Sequence, residues 1–566
     1  MAMDVMRTKS IEQSLADTQE PEYALKKNVT ALDLTVFGIG AIIGAGIFVM
    51  TGQVAHDKAG PGVIFSFLIA AICCALAAMC YAEFASTVPV SGSAYTFSYA
   101  SLGEIFAWII GWDLILEFWM VSATVAQGWS GYFNRFLNLV SGQPSGGSLM
   151  PKALLAPDSG GVFDLWAFVL VVVLGLLIYR GIKESLRVNL VLVAIKLFIV
   201  LFVIVFGIVL IASAVQGTSG DNTWTASVAN WTQYGFVPSA CDITSAPDAT
   251  TGLITQACAT GTPQAFTVTF TNPGVGQVMT TPLLQLITGG GAMTAYGFGG
   301  VVAGASIVFF SFIGFDAVAT TAEECRNPKR DLPIGIIGSL AISTVLYILV
   351  CLVVTAMVPF NMMDASGALA AAFSAVGQGW AGILISVGAI AGLATVVLTM
   401  MTGGVRIVYA MCRDNLLPLG FAKVHKSFRT PQYITIAITV VAALLASLMP
   451  FGTLTEMTNI GTLSAFGLVS VAVLVLRYKR PDLKRAFRVP GVHVVSILAA
   501  LICLYLMLNL ATETWIRFVV WLVVGFVIYF AYGNRHARVR TGLTLHDPSA
   551  PHHEPSDSDP VPEDSK

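Results

Sequence analysis

Long apolar runs separated by short polar joints recur along this chain from Leu34 to Phe530. Most runs approach the roughly 20 residues that a helix needs to cross a bilayer. They predict spans near 34–51, 61–85, 103–128, 162–180, 188–214, 298–321, 333–357, 378–405, 431–449, 455–476, 492–511 and 515–533. The expected architecture is therefore an all-α integral membrane protein with 12 transmembrane helices. Two spans are interrupted. The first carries Gly44 and Gly46, poor helix formers, in the middle of an apolar stretch. The sixth carries Gly314 between Phe309 and Asp316. A span in hydrocarbon breaks only where its backbone lines a protected cavity. A broken helix offers such a cavity free N–H groups at one end and free carbonyls at the other. That pair suits a ligand with both a carboxylate and an ammonium, and Gly-interrupted spans in corresponding halves point to a transporter's binding site.

Composition sharpens the membrane assignment: 56% of residues are hydrophobic and 11% are charged, against roughly 25% charged in soluble domains. Placing the N-terminus inside puts 25 Lys and Arg residues on the inner side and four on the outer, with Lys196 alone within a span. Both termini are then cytoplasmic by the positive-inside rule. About thirty polar residues precede the first span and no small-residue cleavage site follows it, so it is not read as a signal peptide.

Charges inside spans mark candidate function. Asp113 and Glu117 lie four apart, on one face of the third helix; each is either a functional acid or a partner to a buried polar group. Lys196 sits among apolar neighbours in the fifth helix. Burial disfavours its charged form and would let it bind and release a proton, while a fixed positive charge replacing a metal ion would need the same location. Thr395, Thr399, Met400 and Met401 occupy the middle of the eighth span. Asp316 begins a run of acids and bases, including Glu323 and Glu324, that reads as an ion-pair gate or an ordinary charged loop.

Of nine cysteines, Cys73, Cys74, Cys80, Cys351 and Cys503 fall in spans and read as small apolar fillers. Cys241 and Cys258 share an outer loop, where a disulfide would form in an oxidising compartment; two unpaired thiols are the other reading. The outer insertion has no Lys or Arg, and the tail is of disordered composition. No phosphate loop, zinc spacing or catalytic triad is present. No enzyme activity, metal or cofactor is expected.

Several long motifs fall in the order of one family: Gly38-Ile-Gly-Ala-Ile-Ile-Gly-Ala-Gly-Ile-Phe-Val49, Tyr81-Ala-Glu-Phe-Ala-Ser-Thr-Val-Pro-Val-Ser-Gly-Ser-Ala-Tyr95, Gly111-Trp-Asp-Leu-Ile-Leu-Glu117, Phe315-Asp-Ala-Val-Ala-Thr-Thr-Ala-Glu-Glu-Cys-Arg-Asn-Pro328 and Arg485-Ala-Phe-Arg-Val-Pro490. With them the chain resembles permeases of the amino acid–polyamine–organocation superfamily, in the cationic amino acid transporter branch. The resemblance implies a leucine-transporter-type 5+5 inverted repeat with two C-terminal helices. The expected division is a cytoplasmic segment 1–32, a first repeat 33–214, an extracellular or periplasmic insertion 215–297, a second repeat 298–476, helices 11 and 12 over 477–535, and a cytoplasmic tail 536–566.

The same resemblance implies a binding site. The substrate carboxylate would meet N–H groups of Gly44, Ala45 and Gly46. Its ammonium would meet carbonyls of Ile42, Phe310, Ser311 and Ile313, with Phe310 as a gate over it. Glu117 and Met400 would line the side-chain pocket, and Lys196 would take the place of a sodium ion in proton-coupled relatives. Asp113 and Glu117 stand where eukaryotic cationic carriers usually have Asn and Ser, a departure that points to a bacterial protein and away from a strictly cationic substrate.

The expected partners are an L-amino acid, a proton and membrane lipid, without nucleic acid; a small membrane-protein partner is left open. The function expected is secondary active import of small neutral or cationic L-amino acids across the cytoplasmic membrane by proton symport, with the small neutral ones slightly ahead. An exchanger, a non-transporting sensor on the same fold and a channel are the alternatives.

Overall fold

The computed structural model describes Arg7 and residues 29–87, 93–141, 150–181, 186–216, 282–284, 297–358, 360, 363, 367–425, 428, 430–483 and 485–538. Among these residues the chain is a bundle of apolar helices, eight of them long and apolar enough to cross a membrane and four shorter. The first pass, α1, runs Ala31–Ile42 and resumes as Gly46–Met50, Thr51–Val54 and Ala55–Ala59. Then follow α2 (Val63–Thr87), α3 (Glu104–Val140), α4 (Leu165–Tyr179) and α5 (Leu186–Gln216). The sixth, α6, runs Gly297–Val308 into a tight turn, Phe309–Phe312, and resumes at Asp316–Glu324. After it come α7 (Pro328–Met357), α8 (Gly379–Arg413), α9 (Gln432–Leu448), α10 (Phe451–Lys479), α11 (Val492–Leu508) and α12 (Thr512–Ile528). The shorter helices Ser93–Ser101 and Ala368–Ala375 lie between passes.

Local chemistry sets the starts. Thr30 caps α1 reciprocally with Asp33, each side chain accepting from the other residue's backbone N–H. Asp164 caps α4 by accepting the Ala167 N–H. Pro328 opens α7 at a position where its missing N–H costs nothing.

The long α3 and α8 lie along each other at the centre, with α10 and α9 also against α3, while α7 packs on α1 and α2. Apolar side chains such as Phe198, Leu201 and Val205 on α5, and Val519, Val523 and Val527 on α12, face outward. A belt of this kind is what a bilayer covers. Cys73, Cys74, Cys80, Cys351 and Cys503 are buried free thiols, as the filler assignment anticipated. The Cys241–Cys258 pairing, nearly all of the 215–297 insertion and the 541–566 tail fall outside the described residues.

Where α2 and α10 end, one carboxylate gathers several partners. Glu83 accepts from Nε of Arg477 at 2.9 Å and from the Val489 N–H at 2.8 Å, and it stands 3.4 Å from Nε of Arg485. Two motifs far apart in sequence, Tyr81-Ala-Glu83 and Arg485-Ala-Phe-Arg-Val-Pro490, thus meet in one ion-pair cluster.

Candidate functional site: the two broken helices

The breaks in α1 and α6 face each other. In α1 the chain leaves helical geometry at Ile43, whose ψ is 96°. In α6 it does so at Ile313, with ψ 137°, followed by Gly314 at φ 119°. The two stretches touch. A Cβ on Gly46 would lie 2.4 Å from Cα of Ser311, and one on Gly314 would lie 2.9 Å from the Ala41 carbonyl carbon. Glycine is required at both places, at Gly314 by its positive φ as well.

The break in α1 releases carbonyls that an intact helix would consume. In an unbroken helix the N–H of Gly44 would take the Gly40 carbonyl. With the chain turning away at Ile43, that carbonyl instead accepts a 2.7 Å hydrogen bond from Nζ of Lys196. The lysine is fully buried, reaching from α5 to the break. Beyond the break the pass resumes at Gly46, just after Gly44 and Ala45, and the first N–H groups of a helix have no partner within it.

One residue that sequence reasoning missed ties the two breaks together. The Tyr347 hydroxyl of α7 lies 2.7 Å from the Ile42 carbonyl and 2.9 Å from the Ser311 carbonyl. Its one proton is shared between two of the oxygens expected to meet an ammonium. The available signal was a tyrosine within an apolar span, whose O–H must find a partner when buried.

Phe310, Ser311, Ile313, Ile42 and Ala45 are all buried at these breaks. The hydroxyl of Ser311 is buried with no hydrogen-bonding partner among the described residues. Asn459 of α10 supports the turn in α6 by donating to the carbonyls of Ser306 and Ile307. On α8, Val396 packs against Gly44, the nearest approach a Cβ there would meet being 3.2 Å. Met400, four residues on, shares that face and is 1% exposed.

Glu117 and Asp113 are fully buried on α3. The Asp316 carboxylate of α6 and the Thr462 hydroxyl of α10 face Glu117, although no hydrogen bond from the described residues reaches either of its oxygens. Asp113 accepts from the Ser464 hydroxyl at 2.9 Å. Asp316 also accepts the Gly314 N–H at 3.2 Å, fixing the turn after the second break. The side chains of Glu323 and Glu324 lie outside the described residues. No group of three or more metal-ligating side chains occurs among the described residues.

A family model described as "Amino acid permease" matches residues 29–246 and 251–530, most of the chain. The chain belongs to the amino acid permease family. It is thus a multi-pass membrane transport protein, and its helices carry permeation rather than catalysis. This permease is 42% identical to the branched-chain amino acid permease BcaP of Bacillus subtilis (strain 168), over 95% of this chain and 100% of the relative. To the methylthioribose transporter of the same organism it is 40% identical, over 92% of this chain and 96% of the relative. To cationic amino acid transporter 4 of Mus musculus it is 33% identical, over 84% of this chain and 62% of the relative.

Proposed function

We propose that this amino acid permease imports L-amino acids together with protons across a bacterial cytoplasmic membrane, with both termini inside. The observation that carries the proposal is the contact of Lys196 Nζ with the Gly40 carbonyl, one turn before the broken segment Gly44–Gly46. A substrate ammonium held by carbonyls of Ile42, Phe310, Ser311 and Ile313, and a carboxylate held by N–H groups of Gly44, Ala45 and Gly46, would sit directly beyond it. Protonation of Lys196 then sets how strongly α1 is held at Gly40, because the charged ammonium donates a stronger bond than the neutral amine, and so joins proton occupancy to the substrate site. Phe310 serves as the gate, and Glu117 with Met400 borders the side-chain pocket. Helices α1–α5 and α6–α10 form the two repeats, each opening on a broken helix.

For the side chain, small neutral amino acids rank slightly ahead of cationic ones. A buried lysine or arginine side chain needs a partner charge or several carbonyls, and Met400 and Met401 fill their positions with adaptable apolar bulk. The branched-chain relative supports this order. The methylthioribose relative is a reason to include that compound in the test, since a thiosugar has neither carboxylate nor ammonium.

The test is uptake of labelled alanine into proteoliposomes with an imposed pH gradient. Accumulation against the alanine gradient is expected, with Lys196→Ala losing it while counterflow is retained. Uptake that ignores pH and follows sodium overturns the coupling. Counterflow without accumulation in the wild type indicates an exchanger, and binding without any flux indicates a sensor. Competition by alanine, serine, valine, lysine, arginine and methylthioribose, in the wild type and in Met400→Ser, ranks substrates. Dominant competition by arginine in the wild type places cationic side chains ahead of neutral ones and overturns the ranking.

A further inference from the structure

We infer that Gly392 of α8 is a positioning residue that seats Lys196 on the Gly40 carbonyl. Its functional weight rests on the coupling role proposed above for Lys196. A Cβ built on Gly392 would lie 2.9 Å from Cγ of Lys196, 3.2 Å from Cε and 3.5 Å from Cδ. The lysine stem therefore lies flat across the bare backbone of this glycine, and its ammonium emerges on the far side at Gly40.

The closest of these atoms decides the consequence. Cγ sits at the root of the side chain, so it cannot yield as a flexible tip would. Relieving the clash requires a change of χ1 or a retreat of α5 from α8, and both swing Nζ away from an oxygen now at 2.7 Å. Gly392 lies inside a long helix and has no unusual φ. Its backbone does not require glycine, which weakens a helix interior relative to alanine. The close approach of the lysine is what the missing side chain accommodates.

Position along α8 gives the contact its meaning. Gly392, Val396 and Met400 are spaced four apart and share one helical face. The first bears on the Lys196 stem, and the second bears on Gly44 in the α1 break. One face of α8 thus sets both the lysine and the broken segment against a common reference. One turn earlier, Gly388 accommodates α5 in a different way: a Cβ there would meet Ile199 at 2.3 Å and not the lysine. It is a matched control for packing alone.

The experiment compares Gly392→Ala, Gly388→Ala, Lys196→Ala and the double variant Gly392→Ala/Lys196→Ala, each as the full chain. In proteoliposomes, Gly392→Ala is expected to cut pH-driven alanine uptake about tenfold, the scale of one lost charge-assisted hydrogen bond, and to retain counterflow. Gly388→Ala is expected to lower both activities together. In detergent, melting temperatures give a second readout independent of transport. Lys196→Ala removes Cγ, so Gly392→Ala should lower the melting temperature less in that background than in the wild type. If Lys196→Ala is not recovered, Lys196→Gly, which likewise has no atom at the γ position, replaces it.

Additive melting shifts overturn the positioning role, whatever transport does. So does a Gly392→Ala permease whose two activities fall together as in Gly388→Ala. If pH-driven uptake instead survives Lys196→Ala while the melting shifts are non-additive, the seat stands and the coupling role falls.

Discussion

Two charged centres of this permease handle burial in opposite ways. At the end of α2, Glu83 is surrounded by complementary groups: Arg477, the Val489 N–H and Arg485 nearby. At the broken helices the bonding is of another kind. Lys196 donates to the Gly40 carbonyl, Tyr347 divides one proton between two carbonyl oxygens, and the Ser311 hydroxyl and both Glu117 oxygens have no hydrogen bond among the described residues. The first arrangement pairs its carboxylate with several fixed donors, so it holds geometry. The second leaves groups that a bound amino acid or proton can complete, which suits a centre that must accept and release cargo.

The largest effect on stability is therefore expected at the cluster rather than at the site. Glu83→Ala leaves two guanidinium groups facing each other and should cost about 3 kcal/mol. This is the low end for a broken buried pair, because Arg477 keeps a quarter of its side chain exposed. Lys196→Ala removes the 2.7 Å hydrogen bond to the Gly40 carbonyl, a loss of one charge-assisted bond, so its loss in thermal stability should be smaller, although its effect on transport is expected to be greater. Equal melting-temperature losses for the two variants would break the contrast.

Next comes Gly46→Ala, whose new Cβ would lie 2.4 Å from both Cα and Cβ of Ser311, so the backbone there must move. Overpacking of this kind costs roughly 1–3 kcal/mol. Uptake should be abolished, because the N–H groups move with the backbone; near-normal uptake would mean that the two breaks slide apart without consequence.

The smallest effect sharpens the contrast most. Tyr347→Phe deletes one proton shared by two carbonyls and should cost about 1 kcal/mol. The same change should alter KM for alanine more than the maximal rate, since it frees the oxygens an ammonium would use. A change in maximal rate alone would place Tyr347 outside substrate binding.

Much of the architecture was legible in the residues themselves. The apolar runs became apolar helices, eight of them of spanning length, because backbone polar groups in hydrocarbon must pair within the segment, so hydropathy reports structure almost directly. Gly44, Gly46 and Gly314 marked the breaks for the same reason. Lys196, Asp113 and Glu117 stood out because charge inside a span is costly.

What the sequence by itself determined was the membrane class, the number and position of the passes, the two interruptions and the buried charges. Only the tertiary structure decided what those charges meet. Lys196 and Gly40 are 156 residues apart, Tyr347 and Ile42 305, and Val489 and Glu83 406. No local periodicity links such positions, because helix propensity and hydropathy act over a few turns whereas these bonds are set by how separate passes pack. Gly392 shows the limit most clearly: a glycine inside a helix carries no chemistry of its own, and its role is visible only in the lysine stem that lies across it.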